Sequence, residues 1–306
     1  MYFTICIPAY NRGYIITRAL DSIRIQSFSS YEVLIVDDGS TDDTKNVVEN
    51  YIKKYNLLDK YIYIFKNNGG KHSALNVGIE NAHGKFFIIL DSDDWLVDDA
   101  LEKMHNLCLE IENDKNICGI MGRMREYSSG EIEGSLFELK DSISSYFDFH
   151  FTMKKKGKRF NCCEANKTEI VKMYRFPEQE GMKFVPEAWL FDQIGVRYNL
   201  LLTNDVYRYS EYLSDGMNAD KEFKVRNNIG FLYHYISRIE NVLPFKNLDP
   251  ITKIKLYGIA WLQYWNCVKE DREKKGPRVS KITMMGYLFL IIYPCVYILA
   301  KKKFDR

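Results

Sequence analysis

FTICIP (3–8), YEVLIVDD (31–38), KYIYIF (60–65) and KFFIIL (85–90) are near-continuous apolar runs of strand length. Between them lie YIITRALDSIRIQ (14–26), TKNVVENYIKKY (44–55) and HSALNVGIENA (72–82), whose apolar residues recur at helical spacing. A strand buried on both faces reads as unbroken apolar sequence, and strands joined by helical crossovers run parallel. The alternation predicts an α/β domain with a doubly wound, mostly parallel sheet.

In such a sheet, ligands bind outside the carboxyl ends of the strands. Polar clusters fall at each of those ends: Ala9, Tyr10 and Asn11; Asp37 to Ser40; Asn67 to His72; and Asp91 to Asp94. Each cluster alone is ordinary turn chemistry. Four on one rim predict a site. The last one, in FFIILDSDDW (86–95), sets Asp91, Asp93 and Asp94 almost side by side, where like charges repel unless a cation or backbone donors offset them. A D-x-D at a strand end offers hard oxygens to Mn2+ or Mg2+, which commonly bridges a diphosphate. The sequence lacks G-x-x-x-x-G-K-[ST] and has no G-x-G-x-x-G after its first strand, leaving a metal-held nucleotide diphosphate without a phosphate-wrapping loop.

Across the whole chain of 306 residues the net charge is +2, so no nucleic-acid partner is expected. Seven cysteines without a C-x-x-C pair, and an N-terminus that turns polar at Tyr10, predict a reducing, cytoplasmic setting and no secretory leader. ITMMGYLFLIIYPCVYILA (282–300) is uncharged, flanked by basic clusters, and interrupted by Pro294. Its length approaches the roughly 20 residues of a membrane span. The basic flanks and three tyrosines fit a helix or bent hairpin lying on the cytoplasmic membrane surface, peripheral on the inner face. The alternative is a buried helix or an oligomer contact. KKKGKR (154–159) reads as a solvated loop. A strand pair is expected around Ser129 and Gly130, and helices over 186–200, 220–240 and 250–271.

IPAYNR (7–12), IVDDGSTDDT (35–44), NGGKHSALNVGI (68–79) and LDSDDW (90–95), in this order and spacing, resemble the family 2 glycosyltransferases of GT-A fold. The match covers roughly residues 1–115; FVPEAWLFDQIGVRY (184–198) and YRYSEYLSDGMNAD (207–220) resemble the family's acceptor side more weakly. The resemblance implies a nucleotide-sugar-binding half at 1–115, an acceptor-binding half at 116–220 and a helical extension at 221–306. It implies that Pro8, Ala9 and Tyr10 form the base pocket, with Asp38 accepting the N3 proton of uracil; guanine also offers ring donors, so GDP stays open. Gly70, Lys71 and Asn76 would flank the diphosphate. Asp91 and Ser92 would serve the nucleotide, and Asp93 or Asp94 the metal.

Inverting transfer needs a base for the acceptor hydroxyl. Where the family often has Glu-Asp at a helix start, this chain has Glu187-Ala188, so Glu187 is the candidate base and Asp192 the fallback. The sequence has no Q-x-x-R-W motif, so one sugar per encounter is expected, moved from a nucleotide-diphospho-sugar to a glycan or lipid-linked acceptor. The alternatives are an inactive nucleotide-sugar-binding subunit and a Mg-dependent phosphatase.

Overall fold

A computed structural model of the chain describes residues 1–134, 136–137, 143–152, 161–211, 222–273 and 275–280. The first half alternates as the sequence predicts: β1 (Phe3–Ala9), α1 (Ile16–Arg24), β2 (Tyr31–Asp37), α2 (Thr44–Lys54), β3 (Tyr61–Phe65), α3 (Lys71–Glu80) and β4 (Phe86–Ile89). A two-residue strand β5 (Trp95–Leu96) follows the acidic turn and leads into α4 (Ala100–Ile111). Then come β6 (Ile117–Glu126), β7 (Ile143–Ser144), a π-helical turn at Asp148–Thr152, β8 (Cys162–Lys167), α5 (Thr168–Val171), α6 (Ala188–Arg197) and β9 (Asn199–Ser210). Helices α7 (Phe223–Arg226), α8 (Asn228–Ser237) and α9 (Pro250–Glu270) close the described chain, with a π-helical turn at Arg238–Val242 after α8.

These strands form one nine-stranded sheet in the order β3-β2-β1-β4-β8-β6-β9-β5, with β7 on β9. β3, β2, β1 and β4 are mutually parallel, β8 runs antiparallel to β4 and β6, and β5 runs antiparallel to β9. Side chains alternate between the faces of a strand. Phe3, Ile5 and Ile7 of β1 accordingly enter the core beneath α1, α2 and α4, while Cys6 joins the core beneath α3 and α6. A third core, centred on Leu232, Tyr257 and Trp261, holds the C-terminal helices together.

The sheet is shared by the two halves suggested by the sequence, because β4 pairs with β8 and β5 with β9. Two expectations need correction. The strand pair around Ser129 and Gly130 is β6 with a single bridge from Arg125 to Ile132. The helix expected over 220–240 is α7 and α8, separate at Asn227. The segments 154–159 and 282–300, and most of 207–220, lie outside the described residues.

Candidate active site

The carboxyl ends of β1, β2 and β4 open onto a cavity of about 910 Å³. The turn after β1 is stitched to the turn after β2. The Asp38 N–H donates to the Ala9 carbonyl at 2.8 Å, and Asn11 Oδ1 accepts from the backbone N–H groups of Thr41 and Asp42. Pro8, Ala9 and Tyr10 line the cavity, and Tyr10 is 47% exposed at its wall.

Asp38 is buried and receives three donors: Lys66 Nζ at 2.7 Å, the Gly69 N–H at 2.9 Å and the Gly70 N–H at 2.6 Å. A carboxylate has about four acceptor sites, so one is left for a ligand. Its neighbour Asp37 is turned inward, accepting from the Ser40 N–H and the Tyr63 hydroxyl. Gly70 has φ +92°, and a Cβ there would lie 1.9 Å from the Lys183 carbonyl oxygen. Backbone conformation and the close approach of residue 183 both require glycine.

Lys71 begins α3 and reaches across the cavity. Its Nζ lies 2.5 Å from Asp91 Oδ1 and 2.6 Å from Glu187 Oε1, the residue that precedes α6. Burial opposes the lysine's charge, but Asp91 and Glu187 outweigh it and raise its pKa above the usual lysine range. For Asp91, burial acts against ionisation, yet Lys71 and then Arg208 hold it below the ordinary carboxylate value. Burial raises Asp93, with the charge of Asp91 adding to it. Burial also lifts Asp94, up to about 7, against the pull of Arg208. Asp94 is buried with Arg208 Nε at 3.4 Å, while Ser92 sits buried in the same turn.

Two expected residues are placed elsewhere. Asn76 is buried in α3 and bonds the Phe176 backbone through both amide atoms and Glu178 through its nitrogen, pinning the 176–178 segment; it is not among the cavity-lining residues. Asp192 is 1% exposed and lies outside the lining. Its oxygens are bound by His150 Nδ1 at 2.5 Å and Arg238 Nε at 2.7 Å, which overcome burial and hold it far below the usual carboxylate range. Its geometry is that of a structural tie between α6 and the two π-helical turns.

The cavity also contains groups that motif reading missed. Arg208 on β9 donates to the Ile89 and Cys162 carbonyls besides pairing with Asp94. Glu164 on β8 lines the cavity, and burial pushes its pKa up to about 8 despite Arg208. Behind the acidic turn and outside the cavity lining, Arg18 of α1 donates to the Asp93 carbonyl at 2.7 Å, pairs with Glu211, and lies over the Trp95 ring at 3.7 Å. The available signal was charge inside otherwise apolar strands, as in VYRYS and CCEAN. Such a charge needs a partner, but its sequence does not say which.

A sheet with this topology and a carboxylate turn on its rim defines the GT-A class. The sequence profile described as Glycosyl transferase family 2 matches residues 4–172, more than half of the chain. The chain belongs to glycosyl transferase family 2, which sets aside the phosphatase alternative. An uncharacterized glycosyltransferase of Mycoplasma pneumoniae is 42% identical over 106 residues, covering 33% of this chain and 34% of that protein. The poly(ribitol-phosphate) beta-N-acetylglucosaminyltransferase TarS of Staphylococcus aureus is 38% identical over 104 residues, 33% of this chain and 18% of TarS. This chain thus spans about a third or less of these relatives' length. The crystal structure of S. aureus TarS 1–349 with UDP-GlcNAc superposes with TM-score 0.61 at 20% identity, covering 87% of this chain and 73% of that one. A mannosyltransferase of Pyrobaculum calidifontis with GDP-Man and Mn2+ gives TM-score 0.56 at 16% identity, covering 97% and 80%.

Proposed function

We propose that the protein is an inverting glycosyltransferase. It moves a hexose or N-acetylhexosamine from a UDP-sugar to a hydroxyl of a lipid-linked or polysaccharide acceptor. The observation that carries this reading is one cavity lined at once by Tyr10 and Asp38, by the Asp91–Asp94 turn, and by Glu187. In this reading residues 1–115 hold the donor, 116–220 the acceptor, and the 282–300 segment rests on the inner membrane surface.

The carboxylate turn fits a divalent cation. Its oxygens are hard ligands, and the raised pKa values of Asp93 and Asp94 reflect burial and mutual repulsion, which a cation would offset. Asp94 is engaged by Arg208, so Asp93 is the better placed ligand. Among the described residues no three His, Cys, Asp or Glu side chains converge as a finished cage, so diphosphate oxygens and water would complete the shell. Bound Mn2+ or Mg2+ would supply charge stabilisation of the departing diphosphate.

The chain's own residues do the rest. Tyr10 and the free acceptor site on Asp38 take the base. Glu187 receives the acceptor's hydroxyl proton as that oxygen bonds the anomeric carbon and the bond to the β-phosphate oxygen breaks. Lys71 fixes Glu187 relative to Asp91. The test is calorimetric titration of UDP and GDP, with and without Mn2+, on wild type and Asp93→Ala. Mn2+-dependent UDP binding that the variant loses is expected. Binding of neither nucleotide, or binding indifferent to both metal and Asp93, would overturn the reading. Sugar transfer from bound UDP-sugars then separates the enzyme from an inactive binding subunit.

A further inference from the structure

Glu164 stands in the middle of β8, in a stretch of sheet whose other faces are packed. Successive side chains of a strand point to opposite faces. Cys163 and Ala165 enter the core beneath α1, α2 and α4, so Glu164 projects from the other face, on the side of α6, as Cys162 does. It pairs with Met121 of β6, and continuing the antiparallel register of Phe87 with Asn166 brings it level with Ile89, two residues before Asp91.

Glu164 is part-buried, and a carboxyl in such a place needs hydrogen-bond partners. Among the described residues, no other one donates to its side chain or forms an ion pair with it. Arg208 is committed to Asp94 and to the Ile89 and Cys162 carbonyls, and Asn166 to the Tyr146 hydroxyl. Behind Glu164, Phe87, Ile89, Val171, Leu190 and Phe191 help enclose a void of about 10 Å³, room for one water at most. The remaining direction is the large cavity, which Glu164 also lines.

Its surroundings select the ligand group. Burial, opposed by Arg208, sets the ionisation of Glu164, and Glu187 and Asp91 are close enough for their charges to add to it. A phosphate is repelled from a spot with three carboxyls, whereas a neutral hydroxyl can donate to Glu164 and accept from it when it is protonated. Glu164 lies on the sheet at the floor of the cavity, while the exposed Lys183 and Arg226 line its rim. In the transfer described above, the sugar ring lies between the acidic turn, which holds the diphosphate, and Glu187, where the acceptor oxygen arrives. Glu164 feels the charge at both ends of that span.

We propose that Glu164 binds a hydroxyl of the hexosyl group being transferred and thereby helps to select the donor sugar. This deepens the transferase reading above and rests on it. The test is calorimetric titration, in Mn2+, of UDP, UDP-glucose, UDP-galactose and the two 2-acetamido counterparts on wild type, Glu164→Gln and Glu164→Ala. Monodeoxy forms of the sugar that wild type binds best follow. Glu164→Ala should bind UDP as wild type does, which also reports its folding, and lose about ten- to a hundredfold in affinity for the UDP-sugar. Glu164→Gln keeps an acceptor oxygen in the same place and should recover most of that loss. One deoxy sugar should bind wild type and Glu164→Ala equally well, which identifies the hydroxyl. A loss in Glu164→Ala that is the same for UDP and for UDP-sugar would make Glu164 structural and overturn the proposal. UDP-sugar affinities equal in all three proteins, or a wild type that takes UDP and none of the four sugars, would overturn it too. A wild type that binds no UDP would overturn the transferase reading itself, and this assignment with it.

Discussion

Lys71 and Glu187 are joined by a 2.6 Å ion pair, and the same ammonium lies 2.5 Å from Asp91. One side chain at the start of α3 therefore connects the acidic turn after β4 to the N-terminus of α6. If Glu187 is the proton acceptor, Glu187→Gln keeps the shape and removes the base. Turnover should fall by about 10²–10⁴-fold while calorimetric UDP affinity stays close to wild type. A variant that transfers sugar at the wild-type rate would remove Glu187 from the chemistry.

Gly70 should tolerate no side chain. Gly70→Ala meets a left-handed backbone and the Lys183 carbonyl together. Each such strain costs about 1–3 kcal/mol. The shift should also disturb the Gly70 N–H bond to Asp38. Denaturant unfolding should show the loss of stability, and UDP binding should weaken with it. The control is Gly130→Ala, where φ is also positive but nothing lies within 4 Å of the added carbon, so strain acts there without a collision.

Glu164 gives a stability dependence on pH. Burial raises its folded pKa to about 8, above the value of an unfolded glutamate. A raised acid favours folding while it is protonated, so its contribution is present below the unfolded pKa and is lost as pH rises through the folded one. Relative to wild type, Glu164→Gln should therefore gain stability between about pH 5 and pH 9. Thermal unfolding across that range would show the gap opening in favour of the variant. A gap that is constant with pH would rule out the shift.

Asp192 is predicted to act through structure. Removing it leaves Arg238 without its carboxylate and frees the His150 ring, and breaking a buried pair costs about 3–5 kcal/mol. Asp192→Ala should unfold at lower temperature, yet bind UDP normally where it is folded. Loss of turnover in a variant of undiminished stability would return Asp192 to the list of bases.

The first half of the sheet was legible because its signals are local. Strands buried on both faces are continuous apolar runs, and the turns after β1, β2 and β4 carry Tyr10, Asp38 and Asp91 within the motifs themselves. The part of the sheet after α4 depends on distant partners. β8 is written CCEANK, whose polar residues look like a loop until Asn166 is seen bonded to Tyr146 and Lys167 to the Asp114 carbonyl. Arg208 becomes a site residue only when β9 carries it to Asp94. Asn76 lay inside a well-matched motif and still turned to the 176–178 segment, because the motif records residue types but not the loop packed against them.

The pairing of β5 with β9 has a consequence for how the molecule assembles. Trp95 and Leu96, directly after the carboxylates, are held by Tyr209 and Arg208 from the far end of the described sheet. Closing so long a loop is entropically slow, so this pairing belongs among the late events of folding. A nascent chain that has emerged as far as α4 already carries all four rim motifs, but the strand that clamps the acidic turn has yet to be made. Competence to grip a nucleotide should then arrive with the synthesis of β9, long after the last of those motifs has left the ribosome.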